Sequence, residues 1–207
     1  MEELIFYLHS IAPLSEKLEK WLRTIIKKYE FKAGDKILEP GHKCDKIFFV
    51  KTGLIRIYHM LDGQEVSDWF IKEGDVCISV GSFFDQSDSE EFLVALEDCE
   101  CWGIKFEELE KTFVKFIEFN IHGRKISNRY YAELYRRSSA LKRQTPDRKY
   151  QMLIDKNESF LTRISPDHMA SYLDVGRSTY FSIKKDYLKS KKRESQRSKR
   201  LGNTNGI

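Results

Sequence analysis

The chain has 207 residues, 41% hydrophobic and 13% aromatic, enough apolar mass for one large or two small packed domains. Its net charge of +4 conceals an asymmetry: residues 1–110 hold 13 Lys and Arg against 23 Asp and Glu, about −10, and residues 111–207 hold 23 against 9, about +14. No stretch approaches the ~20 apolar residues of a membrane span, the N-terminus lacks an export-signal pattern, and Cys44, Cys77, Cys99 and Cys101 are too few and scattered for a disulfide scaffold. Secreted and membrane-spanning classes are therefore excluded, and the expectation is a cytoplasmic protein with free thiols and no membrane partner.

Along the chain, Leu4, Leu8, Leu14, Leu18, Trp21, Leu22, Ile25 and Ile26 fall at helical spacing, with Pro13-Leu14-Ser15 as a break, which predicts two short helices. From Phe31 to Ile104 short β-branched and aromatic runs are punctuated by Gly34-Asp35, Pro40-Gly41, Thr52-Gly53, Asp62-Gly63, Gly74-Asp75 and Glu97-Asp98. That regular punctuation predicts a compact antiparallel barrel or roll.

Residues 106–143 return to helical spacing with no proline. Phe113, Ile117, Asn120, Arg124, Ser127, Tyr131, Leu134, Ser138 and Leu141 follow an a/d heptad. A half-polar seam is costly inside a monomer and suits two helices paired in a set register, which predicts a dimerisation helix and a homodimer; the alternative is a long helix lying across its own barrel. Gly123 marks a bend in this reading.

Thr145-Pro146 then reads as an N-cap followed by proline at the first helical position, and Ser165-Pro166 repeats the device. Met169, Ala170, Tyr172 and Leu173 form an apolar face, Asp174-Val175-Gly176 makes a turn, and a further helix starts near Arg177. Two short helices joined by such a turn form a helix-turn-helix. From Lys189 the apolar pattern stops among basic and small polar residues, so residues 189–207 are expected as a disordered basic tail. A basic helical half is a hint of nucleic-acid binding through displaced counterions; a solvated basic surface is the alternative.

The segments Phe31-Lys-Ala-Gly-Asp-Lys-Ile-Leu-Glu-Pro-Gly41, Lys46-Ile-Phe-Phe-Val-Lys-Thr-Gly-Leu-Ile-Arg-Ile-Tyr58 and Ile71-Lys-Glu-Gly-Asp75 resemble the cyclic-nucleotide-binding β-roll of the cyclic-AMP receptor protein (Crp/Fnr) family of bacterial transcription regulators. Residues 165–185 resemble that family's helix-turn-helix, and the likeness spans about residues 5–188. It implies an α+β fold: an N-terminal antiparallel β-roll sensor with its leading helices over 1–105, a long dimerisation helix over 106–143 carrying Phe113, Ile117, Asn120, Arg124, Tyr131 and Leu134, a helix-turn-helix domain over 144–188, and the tail over 189–207. The resemblance further implies that Arg177, Ser178 and Ser182 face the DNA groove while Tyr180 and Ile183 point inward. Arg177 suits bidentate pairing with guanine, Thr179, Lys184 and Lys185 suit phosphate contacts, and Ser165 is a further DNA-binding candidate. Ser178 and Ser182 stand where the family has a glutamate and an arginine, so its familiar operator is not implied, and the family's C-terminal β-wing is missing.

Members that bind cyclic nucleotides carry Gly-Glu and, about ten residues later, Arg-Ser; here Ile78-Ser79 and Ser89-Glu90 stand at those places. The corresponding pocket candidates are Ser79, Val80, Gly81, Ser82, Ser89 and Glu90. A phosphate would meet Asp85, Asp88, Glu90 and Glu91 with no guanidinium to neutralise it, so cyclic AMP is not the expected effector, and the effector's identity stays open. No cofactor or metal is expected: no cysteine precedes Cys44, where iron–sulfur members place their cluster, and His9, His42, His59, His122 and His168 are isolated, against the clustered ligands of a metal-dependent cupin. Cys99 and Cys101 share one strand face and read as packing. Gly-x-Ser-x-Gly is absent, and nothing points to catalysis. The expected function is sequence-specific DNA binding by a transcription regulator, with double-stranded DNA, a second copy and RNA polymerase as partners. The alternative is a ligand-sensing roll that controls a protein partner without binding DNA.

Overall fold

The computed structural model describes residues 1–202, with the side chains of Lys156 and residues 194–202 left aside. The chain divides into two compact units, Met1–Tyr135 and Arg136 onward.

The first unit opens with α1 (Glu2–Ile11) and α2 (Glu16–Ile25). The break between them is where the sequence predicts it, and Ser15 caps α2 by accepting from Leu18 N at 3.3 Å. Eight strands follow: β1 (Lys27–Phe31), β2 (Lys36–Leu38), β3 (Lys46–Thr52), β4 (Ile55–Leu61), β5 (Gln64–Ile71), β6 (Val76–Cys77), β7 (Phe92–Ala95) and β8 (Cys99–Lys105), with a short helix α3 (Val80–Asp85) before β7. They form two antiparallel sheets, ordered β1-β8-β3-β6 and β2-β7-β4-β5.

On β3 three consecutive residues, Phe48, Phe49 and Val50, are buried, because both faces of that sheet are covered. Phe49 packs against Tyr7 of α1 at 5.2 Å, and Phe48 meets Tyr29 and Phe31 edge-on at 5.2 and 5.6 Å. Gly103, opposite Phe48 on β8, makes room for that aromatic group: a Cβ there would stand 2.7 Å from the Tyr29 ring. Gly53, at φ +99°, turns the chain between β3 and β4 where a Cβ would lie 2.5 Å from Cys99 Sγ and 2.7 Å from Asp98 O. Cys44, Cys77, Cys99 and Cys101 are all free and buried in the core. Burial pushes the thiols of Cys99 and Cys101 up to about 11 and about 12, which keeps them protonated and unreactive.

The expected continuous helix over 106–143 is not found. It is divided into α4 (Phe106–Lys115), a 3₁₀ turn (Ile117–Phe119) and α5 (Asn120–Arg143), with Phe116 at φ −126° and ψ 86° between them. Asn120 explains the break: its side-chain amide donates to the carbonyls of Phe113 and Ile117, both at 3.0 Å, ending one helix while starting the next. The heptad therefore does not run through as one seam. Phe113 turns inward against Phe119 (5.4 Å), Ile117 is exposed on the 3₁₀ turn, and Arg124, Ser127, Tyr131 and Leu134 remain exposed on α5. Gly123 marks no interruption in α5; its missing side chain admits the Phe113 ring, which would meet a Cβ at 2.8 Å.

The second unit carries the end of α5, then α6 (Pro146–Lys156), α7 (Phe160–Arg163), α8 (Pro166–Tyr172) and α9 (Arg177–Gly202). No strand occurs in this unit among the described residues. The tail departs from expectation. α9 continues through Gly202, so residues 189–202 are helical, and 203–207 lie outside the described residues. Lys, Arg, Glu and Gln are good helix formers, and an established helix extends at little cost because its nucleus is already in place.

Candidate nucleic-acid interface and ligand pocket

Ser165 caps α8 by accepting from His168 N at 3.2 Å. After α8 the chain turns through Asp174 at φ +52°, and Val175 N returns a hydrogen bond to Ala170 O at 3.1 Å, the geometry of a left-handed helix stop. The C-terminal carbonyls of α8 are met by cations from within the same unit: Arg137 donates to Tyr172 O at 3.1 Å and Lys149 to Leu173 O at 3.2 Å. α9 then starts at Arg177. Its inner face, Tyr180, Ile183 and Tyr187, is buried against Tyr150 of α6, with ring centroids at 5.9 and 5.3 Å from those of Tyr180 and Tyr187.

The opposite face of α9 presents Arg177, Ser178, Thr179, Ser182 and Lys185 to solvent, with Lys184 half-buried. Ser165 is exposed at the head of α8. The ion pair between Arg177 and Asp167 brings the start of α9 to the first turn of α8, where Ser165 is the cap; Ser182, Lys184 and Lys185 lie one to two turns further along α9. Arg177 is 68% exposed and pairs with Asp167 of α8 at 3.1 Å, a surface ion pair worth about 0–1 kcal/mol.

In the roll, the pocket candidates separate into two groups. Ser79, Ser82 and Ser89 are buried, whereas Val80, Gly81 and Glu90 are exposed and stand apart from them. Ser79 Oγ lies 3.2 Å from Ser89 Oγ and donates to Glu91 Oε2 at 2.5 Å; Glu91 N donates to Ser89 Oγ at 3.0 Å. Ser82 is a structural strap, accepting from Cys44 N at 2.8 Å and donating to Ser87 O at 2.6 Å. His59 Nδ1 and Asp68 Oδ2 are paired at 2.6 Å, and both act electrostatically on Glu91. A separate open cavity of about 250 Å³ is floored by Leu38, Phe48 and Leu93; none of the predicted pocket residues lines it.

Residues 28–115 match the cyclic nucleotide-binding domain family. No curated protein sequence matches the chain. Among solved structures it is similar to FixK2 from Bradyrhizobium japonicum (16% identity, 80% of this chain and 86% of that one, TM-score 0.70). It is similar also to a putative Crp/Fnr-family regulator from Eubacterium rectale (16% identity, 86% and 85%, TM-score 0.66) and to a CooA mutant from Carboxydothermus hydrogenoformans (16%, 85% and 80%, TM-score 0.62). At this identity the likeness is one of fold: an antiparallel cyclic nucleotide-binding roll, a long helix and C-terminal helices, as in Crp/Fnr regulator structures. No described helix is long and apolar enough to cross a membrane.

Within the roll, Glu91, which the sequence reading places among the acids a phosphate would meet but not among the pocket candidates, is hydrogen-bonded to two of those candidates, Ser79 and Ser89. Ser89 and Glu91 lie just before β7, where the Ser89 hydroxyl accepts from Glu91 N at 3.0 Å and holds the two together while Glu90 is exposed. Burial pushes the Glu91 carboxyl above the ordinary carboxylate range, with the Ser79 hydrogen bond and His59 opposing and Asp68 adding to the rise. A raised folded-state value favours the neutral acid, so the group's contribution to stability is fullest below the ordinary range and is lost as pH rises through the raised value. Glu91→Gln is accordingly expected to raise Tm at neutral pH. That advantage shrinks as pH falls toward about 4, as thermal unfolding followed by circular dichroism at both pH values would record.

Proposed function

We propose that the chain is a sequence-specific DNA-binding transcription regulator of the Crp/Fnr type, acting as a homodimer, with an effector other than cyclic AMP. The observation that carries the reading is the α8–turn–α9 arrangement: Tyr180, Ile183 and Tyr187 are buried on one side of α9, leaving Arg177, Ser178 and Ser182 open on the other, in the half of the chain that bears about +14. In the proposed mode Arg177 reads a guanine edge and Ser165, Thr179, Lys184 and Lys185 hold phosphates. Two copies would place their α9 helices in successive major grooves about 34 Å apart. Exposed Tyr131 (74%) and Leu134 (55%) on α5 support pairing of that helix with its counterpart. RNA polymerase is the further partner that a regulator of this type implies, and the proposal assigns the chain no catalytic role and no cofactor.

The effector part rests on Glu91. A nucleotide phosphate beside Ser79 and Ser89 would approach a half-buried carboxyl, with Asp68 nearby, and Coulomb repulsion at that range in a partly buried site outweighs two serine hydrogen bonds. Fluorescence anisotropy with the chain's own promoter region and a scrambled duplex, at two salt concentrations, with and without cyclic AMP, tests both parts. Tighter, salt-sensitive binding to the promoter that cyclic AMP leaves unchanged is the expected result. Absence of binding to either duplex at low salt would favour a sensor that acts on a protein partner, and a cyclic-AMP-dependent gain would overturn the assignment of the pocket.

A further inference from the structure

We propose that β6 is a strut joining the Ser79–Ser89–Glu91 cluster to α5, so that a change at the cluster alters the hold of Tyr130 and Arg129 on the roll. The use of such a strut in regulation rests on the function proposed above; its existence does not.

The connection is short and stiff. Tyr130 of α5 accepts a hydrogen bond from Val76 N at 2.6 Å, and the neighbouring Arg129 is paired with Asp75. Both partners lie at the start of β6. Three residues further on is Ser79, which donates to Glu91; an extended chain covers that interval in about 10 Å. The intervening segment has little freedom. Val76 and Cys77 pair with Phe49 and Phe48 of β3, Val50 N donates to Asp75 O at 3.0 Å, and Gly74 N donates to Val50 O at 2.9 Å. Cys77 is fully buried. Ser79 lies two residues past the end of β6, so a displacement there passes through Ile78 alone before it meets the paired and buried Cys77 and Val76.

The α5 end is equally specific. His122 and Lys125, one to two turns earlier, reach Ala12 O and Ile11 O at 3.1 and 2.7 Å and tie α5 to the end of α1. Tyr130 and Arg129 instead tie it to the sheet. They are also near the end of the first unit, which closes at Tyr135, so a loosened Tyr130 frees the stretch of α5 that leads out of the roll. Both ends hold half-buried acids whose carboxyls burial pushes up: Asp75, paired with Arg129, and Glu91, bonded to Ser79.

Amide hydrogen exchange on the full chain tests the strut without any ligand or DNA. In Ser79→Ala, exchange is expected to accelerate several-fold at Val76–Ile78 and across residues 124–135, while α4 stays at the wild-type rate. Tyr130→Phe is expected to accelerate the same α5 stretch, and adding Ser79→Ala to it should produce no further change there, because the link is already cut. Acceleration confined to residues 79–92 in Ser79→Ala, or full additivity in the double variant, would overturn the proposal. Ser89→Ala serves in place of Ser79→Ala if the latter loses cooperative unfolding. Failure of the chain to bind DNA leaves these exchange results unaffected, so the two readings fail separately.

Discussion

Arg177→Ala is expected to weaken binding to the specific duplex about 5- to 150-fold, the ~1–3 kcal/mol that a bidentate arginine–guanine contact contributes, and to leave binding to a scrambled duplex nearly unchanged. The side chain touches little that the fold needs: it is 68% exposed, and its ion pair with Asp167 is on the surface. Thermal unfolding should therefore shift hardly at all. That pair gives the prediction a second arm. To reach a base edge the guanidinium has to leave Asp167, so Asp167→Asn should preserve specific binding or strengthen it by no more than about 5-fold, the upper worth of an exposed ion pair. Equal losses on specific and scrambled DNA in Arg177→Ala would make the residue a phosphate contact, and no loss on either would remove it from the interface.

Much of the α8–turn–α9 arrangement was legible because the signals are local. Ser15 and Ser165 cap helices where their positions before apolar runs predict it, and the turn at Asp174-Val175-Gly176 separates two faces whose burial follows from spacing. The turn glycines of the roll were legible for the same reason: Gly34, Gly41, Gly53, Gly63 and Gly74 all have positive φ. What escaped the sequence depends on side chains acting across it. The heptad over 106–143 is regular on paper, but Asn120 spends its amide on the carbonyls of Phe113 and Ile117, and that competition carries no periodic mark. Glu91 is legible in the sequence only as an acid that a phosphate would meet; its bond to Ser79 depends on a turn outside any strand, in which the Ser89 hydroxyl accepts from Glu91 N, and that has no periodic mark. The helical extension to Gly202 escaped because a lack of apolar residues is a sign of missing tertiary contacts, not of missing helix, when a preceding helix supplies the nucleus. Tyr130 could not have been assigned at all, since its partner is a backbone amide 54 positions away.

Tyr180→Ala should have a large effect of another kind, abolishing specific and non-specific DNA binding together by unfolding the unit that carries them. Tyr180 is 1% exposed and packs edge-on against Tyr150, itself 1% exposed, which in turn meets Tyr187. Truncating a buried aromatic costs about 3–5 kcal/mol. A small helical unit that begins at Arg136 and has no sheet among its described residues sits at the low end of the ~5–15 kcal/mol typical of folded domains, so the loss consumes most of its stability. Calorimetry should then resolve the roll's transition near its wild-type temperature, with the second unit's transition lowered by ten degrees or more on the order-of-magnitude scale of about 4–8 °C per kcal/mol for units of this size. Tyr150→Phe is the contrasting variant. The Tyr150 hydroxyl is buried with no hydrogen-bond partner among the described residues, and leaving such a group unmade costs about 1–3 kcal/mol, so its removal is expected to be neutral or stabilising. If Tyr150→Phe were as damaging as Tyr180→Ala, the aromatic cluster would owe its stability to that hydroxyl and not to ring packing.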